Sequence, residues 1–326
     1  MKLKPRNMVK IWGDIFLPVL LAAALWGFVP VPVVAEVKSS FLYNLSDFNG
    51  TIPYNSPRLS IDRERNEISV LYQNTIRVFN ESGMEIYRFG DDVDLGHIVD
   101  LSTDKDGNVL LLAYRLKNSG DAFQFEIVRC NFRGEPTGKM AIRGLPAQYS
   151  EFSPNRMVYH SGKLYFADLN RMKILITDVE GNFTRGYDLF SLLDIKEKEG
   201  SNTEVGGFNV DEDGSILFTI PVRFTAYKLS PDGGIVSFGK PGGAPGKFNI
   251  VTGITMDKAG NYLVVDRLKC TVMVFDKNFN YLTQFGYRGF KRGNLIAPDD
   301  IATDSVGRVY VTQNGRRGVS VYKITY

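Results

Sequence analysis

Seven cations recur at comparable places along this chain: Arg115, Arg171, Arg223, Arg267, Lys269, Arg316 and Arg317. Each follows a short apolar segment and so belongs to the loop beyond it. Cations gathered on one face steer an anionic partner, whereas scattered ones are solvated surface charges of little energetic weight. Lys117, Lys240, Lys247, Arg288, Lys291 and Arg292 fall in similar loops. A second set is rich in oxygen: Asn155, Asp299 and Asp300, with Asp100 nearby in type. Oxygen donors suit a hard divalent cation. Asp168 and Asp266 each end an apolar segment. An aspartate there either does acid–base chemistry or caps its loop by accepting backbone amides, and capping is the favoured reading. The two histidines, His97 and His160, are too few for a three-histidine zinc site. A lone histidine also lacks the partners that catalysis needs. No Gly-x-Ser-x-Gly, His-Glu-x-x-His or phosphate loop is present. The run Lys240 to Lys247 shares only its composition with a phosphate loop and lacks the Gly-Lys-Ser/Thr ending.

The elements that position these residues come from a phrase repeated six times. It reads Asp304-Ser305-Val306-Gly307-Arg308-Val309-Tyr310-Val311 near the end, and earlier copies begin at Asp104, Asp211 and Asp257. Weaker copies begin at Asp62, where Arg65-Asn66 fills the glycine place, and near Tyr159. Asp can hold the amides of a tight turn and Gly accepts its positive φ, so each copy predicts a β-hairpin. A third strand follows, as in Thr271–Phe275, and a fourth ends in an aromatic-Gly pair: Phe89-Gly90, Phe238-Gly239, Phe285-Gly286. The copies are 42, 55, 52, 46 and 47 residues apart, and one such unit needs about 40–50. The long intervals carry insertions at Lys117 to Asp121 and at Leu192 to Asn202, the latter with room for a helical turn. Four strands repeated six times predict an all-β chain, a six-bladed β-propeller. The sixth unit is one strand short. The unassigned Phe41-Leu42-Tyr43-Asn44-Leu45 is expected to pair beside the last strand and close the ring, which removes an exposed edge.

Residues 1–35 are expected to be a signal peptide: Lys2, Lys4, Arg6 and Lys10, an apolar run from Ile15 to Phe28, then the small-residue site Val33-Val34-Ala35. The run is short for a membrane span, which wants about 20 apolar residues; only an uncleaved segment would tie the chain to a membrane. The propeller then occupies 36–326, and the protein is expected to be secreted or periplasmic. Removing four of the 39 basic residues and one of the 36 acidic ones leaves 35 of each. The alkaline isoelectric point therefore belongs to the leader and does not imply nucleic-acid binding. Cys130 and Cys270 fall in third strands of opposite blades. A disulfide needs Cα atoms within about 7 Å, so both thiols are expected to be free. No Cys-x-x-Cys-His haem motif occurs.

The fifth unit runs Gly246-Lys247-Phe248-Asn249-Ile250-Val251-Thr252-Gly253-Ile254-Thr255-Met256-Asp257, then Ala259-Gly260-Asn261-Tyr262-Leu263-Val264-Val265-Asp266, then Val274-Phe275-Asp276. It resembles the NHL repeat. The third unit keeps Phe166-Ala167-Asp168 and Asn170-Arg171, and the sixth keeps Pro298-Asp299-Asp300-Ile301-Ala302. The resemblance extends over nearly all of 36–326, and it implies a binding or scaffolding module more often than an enzyme. The expected partner is a protein, a glycan or another anionic surface outside the cytoplasm, met by a monomer through the seven cations, without a cofactor. The alternative, taken from lactonase-like propellers, is a hydrolase with a divalent metal in the central channel. Asn155 and Asp299 would sit at two of its ligand places, with Asp100 or Asp300 nearby, although Pro57-Arg58 stands where the first blade should supply an acid.

Overall fold

A computed structural model describes residues 37–91, 95–116, 123–196 and 202–326. The expected leader, Lys117, the insertion it begins and part of the second insertion lie outside these residues. Val37–Thr325 form one compact unit.

Each repeated phrase folds as expected from its turn chemistry. In Asp104 to Asn108 the Asp104 Oδ1 accepts the amides of Asp106 (3.0 Å) and Asn108 (2.9 Å), and Gly107 takes φ +81°. The turns at Asp211, Asp257 and Asp304 repeat these bonds. Asn66 takes φ +53° in the glycine-less copy; Asn tolerates this region better than most residues. The same device serves the outer hairpins, where Asn80, Asn131, Asp178 and Asp276 hold the amides of their turns.

The turns join strands into six four-stranded antiparallel sheets. From the axis outward we call the strands a to d. Blade one is Arg58–Asp62, Glu67–Tyr72, Thr75–Phe79 and Glu85–Phe89. The a strands of blades two to six are His97–Thr103, Arg156–His160, Phe208–Val210, Val251–Met256 and Pro298–Thr303. The sixth blade takes its d strand from the front of the chain. Lys38–Asn44 pairs antiparallel with Val319–Thr325, setting Phe41 opposite Tyr322. Their rings meet edge to face at 5.7 Å. This is the expected closure, begun three residues earlier than the apolar pattern indicated.

Six buried clusters hold the ring, one between each pair of adjacent blades. Strand b explains why its sequence is continuously apolar rather than alternating. In Val109–Leu116, Leu111 and Ala113 pack toward blade one while Leu110 and Leu112 pack toward blade three. Successive side chains of a strand point to opposite faces, and here both faces are core. Cys130 and Cys270 are both free and buried; Cys130 ends its third strand, whereas Cys270 lies in the loop just before Thr271–Phe275, and burial pushes the Cys130 thiol up to about 11. The helical turn comes before the second insertion, at Leu189–Leu192, because Asp188 caps it through the Phe190 and Ser191 amides and Leu189 is buried.

Candidate functional site

The a–b and c–d turns share one face of the ring, the turn face. The b–c loops and the inter-blade loops share the other. Lys269 Nζ ties the latter together by donating to the carbonyls of Ala244 (2.8 Å) and Lys247 (2.5 Å). Arg288 donates to Leu268 O, and Arg317 Nη1 to Phe290 O at 2.9 Å. The seven predicted cations lie toward this loop face, but Arg115 is still inside strand b, Val109–Leu116, opposite Gln124 rather than in the loop beyond it, and the seven are not equivalent. Arg115 is ion-paired with Glu126, Arg171 with Asp168 at 3.4 Å, and Arg267 with Asp299. Lys269 and Arg317 are held by carbonyls. Burial lowers the Lys269 pKa, against the pull of Asp266. Arg223 ends the 3-10 turn Pro221–Arg223. Arg316 presents an exposed side chain, with its amide fixed on Asn55 Oδ1 at 2.7 Å.

Asp168 and Asp266 act as loop caps. Asp168 accepts the amides of Ser153 (3.0 Å) and Arg171 (2.9 Å); Asp266 accepts those of Asn249 (2.7 Å) and Lys269 (2.9 Å). Each carboxylate thereby locks an inter-blade loop to a b–c loop.

Charge on the loop face is lopsided. In blades four to six its loops (221–224, 239–250, 266–270, 286–299 and 313–318) hold ten cations against two carboxylates, Asp266 and Asp299. Lys240, Lys247, Lys291, Arg292 and Arg316 among them are exposed. In blades two and three, Arg115 and Arg171 are matched by acids. Apolar side chains stand among the cations: Val222, Leu268, Tyr287 and Phe290 are 51%, 48%, 63% and 77% exposed. These apolar side chains are not among the expected site residues. The available signal was that Leu268 lies between Arg267 and Lys269, and Tyr287 and Phe290 lie in a glycine-rich loop, all outside the strand alternation.

The central channel holds a second polar centre. Arg156 opens strand a of blade three and is buried with Asp100 and Asp300. Its Nε lies 3.2 Å from Asp100 Oδ2 in blade two, and its Nη1 lies 3.0 Å from Asp300 Oδ2 in blade six. Asp100 Oδ2 also accepts the Met157 amide at 2.7 Å. Burial raises the Asp100 pKa, opposed by Arg156 and Arg58. Burial works against the Arg156 charge too, yet Asp300 and Asp100 outweigh it and raise its pKa. Above this crossbar a cavity of about 340 Å³ opens on the turn face, walled by Ser102, Tyr159, Asn209, Thr255 and Thr303. His160 ends its strand and borders the cavity; His97 is exposed at the start of its own strand.

The metal candidates are engaged by protein groups. Asn155 Oδ1 accepts the Leu169 amide at 3.1 Å, Asp299 faces Arg267, and Asp300 faces Arg156. A guanidinium already lies between the two channel carboxylates, so this donor set does not fit a hard divalent cation.

No family model matches the chain. Solved structures do. A Bacteroides thetaiotaomicron protein of unknown function superposes with TM-score 0.59 at 14% identity, over 89% of this chain and 77% of that one. An auxiliary nutrient binding protein from Bacteroides ovatus gives 0.58 at 13%, with the same coverage. A catalytically inactive virginiamycin B lyase from Staphylococcus aureus with quinupristin gives 0.56 at 12%, over 89% of this chain and all of that one. A binding protein and a lyase share the architecture, so the likeness speaks to scaffold and not to activity. The chain is a six-bladed β-propeller.

Proposed function

We propose that this chain is an exported propeller of NHL type that works as a binding module, through the loop face of blades four to six. The observation that carries the reading is the imbalance of ten cations and two carboxylates in those loops. The expected mature chain is neutral, so the imbalance makes a dipole across the ring rather than a net charge. A one-signed face raises the encounter rate with an anionic partner. The pairing of Arg115, Arg171 and Arg267 with acids moves the reading away from those three and onto Lys240, Lys247, Lys291 and Arg316. The hydrolase alternative is weakened by Arg156, whose guanidinium takes up both channel carboxylates.

The test is capture of partners from the cell-envelope and culture fractions with the purified protein and a Lys240→Glu/Lys291→Glu/Arg316→Glu variant. The three residues are exposed, so the variant should fold as the parent does. Partner recovery is expected to collapse in the variant, and unchanged recovery would overturn the basic-face reading. Metal analysis separates the alternative: about one tightly held divalent ion per chain, with lactone hydrolysis lost on chelation, would favour the hydrolase.

A further inference from the structure

We propose that the loop face of blades four to six seats on an anionic phospholipid surface, with Phe290, Tyr287, Leu268 and Val222 entering the headgroup layer. The inference rests on the basic-face reading above, names the class of partner, and departs from the expectation that only an uncleaved leader would tie the chain to a membrane.

The apolar side chains carry it. Phe290 is 77% exposed and Tyr287 63%, in one inter-blade loop; Leu268 is 48% exposed in the b–c loop of blade five, and Val222 51% in that of blade four. They stand on separate loops of the same face. The loop of Tyr287 and Phe290 is fastened to that of Leu268 through Arg288 to Leu268 O, and Lys269 Nζ ties the latter on to Ala244 O in the neighbouring inter-blade loop. Those three tips are therefore held as a set, and Val222 stands on the short 3-10 turn of the adjacent blade. A soluble protein gains nothing by holding four such groups in water, because each exposed apolar group forgoes its burial free energy. Cations flank each of them in sequence: Arg223 beside Val222, Arg267 and Lys269 around Leu268, Arg288 after Tyr287, Lys291 after Phe290.

Interleaved cations and apolar tips match what a bilayer surface offers. Lysine and arginine meet the negative leaflet, and aromatic and aliphatic groups lie at headgroup depth. Tyr suits that depth because its ring is apolar with a polar tip, and Phe adds apolar area at the acyl boundary. A folded protein partner would need a matching hollow for each of four knobs set on three loops. A fluid leaflet accepts them without shape complementarity. The charge distribution agrees: exposed charges of the turn face meet one another, Arg63 with Glu212 and Lys105 with Asp106, whereas Lys240, Lys247, Lys291 and Arg316 stand exposed on the loop face, which is the face that attracts an anionic surface.

The experiment is co-sedimentation of the purified protein with vesicles of phosphatidylcholine alone or mixed with phosphatidylglycerol. Poly-L-glutamate serves as a lipid-free polyanion. Binding to the anionic vesicles and not to the zwitterionic ones is expected, weakening with salt. Each cation replaced by glutamine should weaken it by about five-fold, and Phe290→Ser by about ten-fold. Trp12 and Trp26, the only tryptophans, both fall in residues 1–35, so Phe290→Trp gives a reporter whose added emission should shift to the blue on anionic vesicles. Vesicle binding that ignores Phe290→Ser and leaves the reporter unshifted would overturn the proposal while keeping an electrostatic face. Binding to poly-L-glutamate without binding to vesicles would overturn it in favour of an acidic protein partner. Loss of both would overturn the basic-face reading itself.

Discussion

Arg156 in blade three reaches across the ring to Asp300 in blade six, with Nη1 3.0 Å from Oδ2. Blades three and six lie on opposite sides of a six-membered ring, so this pair is a crossbar and not a neighbour contact. Asp100 holds the shaft of the same guanidinium from blade two. The three groups close the channel midway and leave the cavity open to the turn face.

Removing the guanidinium should be costly. Arg156→Ala takes the bridging guanidinium from two buried carboxylates and leaves only Arg58 to act on Asp100, and breaking such a buried pair costs about 3–5 kcal/mol. Denaturant unfolding should show a loss in that range. The combination Arg156→Met, Asp100→Asn and Asp300→Asn should recover most of it, because no uncompensated charge remains. A triple variant as unstable as Arg156→Ala would mean that the crossbar acts through geometry rather than charge.

The closing strand should matter more than its length suggests. Deleting Lys38–Asn44 bares the outer edge of Val319–Thr325 and strips Phe41 from Tyr322. An uncovered edge is a template for pairing with another chain. Light scattering should show concentration-dependent aggregation of the deletion variant. Phe41→Ala should stay soluble and lose about 1–2 kcal/mol, because the ring is only partly buried. A monodisperse deletion variant would refute closure by this strand.

The ring was legible in the sequence because its builders repeat. Asp104, Asp211, Asp257 and Asp304 do the same job four times, and periodicity makes such residues visible. The crossbar was not. Asp100 and Asp300 read as candidate metal ligands, because a carboxylate looks the same whether its counter-cation is a metal or an arginine. No motif marks Arg156, and nothing in one chain reveals that a side chain crosses an axis to a blade 144 residues away in sequence. The cations were legible as loop residues, yet their pairing was not. Arg171 and Arg316 look alike in sequence, and only the fold puts Asp168 beside one and solvent beside the other.

Two glycines with different jobs should respond differently to the same change. Gly260 sits at φ +81° in a turn, and a Cβ there would meet nothing within 4 Å. Gly260→Ala should cost about 1 kcal/mol of left-handed strain. Gly207, outside the repeated phrase, lies where the inner strands of blades four and five almost touch. A Cβ there would sit 2.1 Å from Thr252 O and 2.9 Å from Gly253 Cα. Both are backbone atoms that cannot swing aside, so Gly207→Ala must push the blades apart. Thermal melts should place it well below Gly260→Ala, and equal melting temperatures would refute the close approach.

Protonation of His160 should loosen the fold in a narrow pH range. Its ring is half-buried beside the cavity, 6.4 Å from the Tyr165 ring, with Nε2 3.1 Å from Ser161 Oγ. Burial lowers its pKa below the ordinary 6.5, and Arg63 adds to the shift, while Asp211 and Glu212 oppose it. Between the lowered folded value and 6.5 the unfolded chain therefore binds more protons than the folded one. The neutral ring's contribution to stability is complete above 6.5 and is lost as the pH falls through 6.5 toward the folded value. Unfolding free energies of the wild type and His160→Gln should run parallel above about pH 7.5 and diverge on acidification, with the wild type falling faster. With only two histidines in the chain, the ring signals can be followed directly by proton NMR. A His160 midpoint at or above 6.5 would show that the acids facing it outweigh its burial, and the stability difference should then change sign.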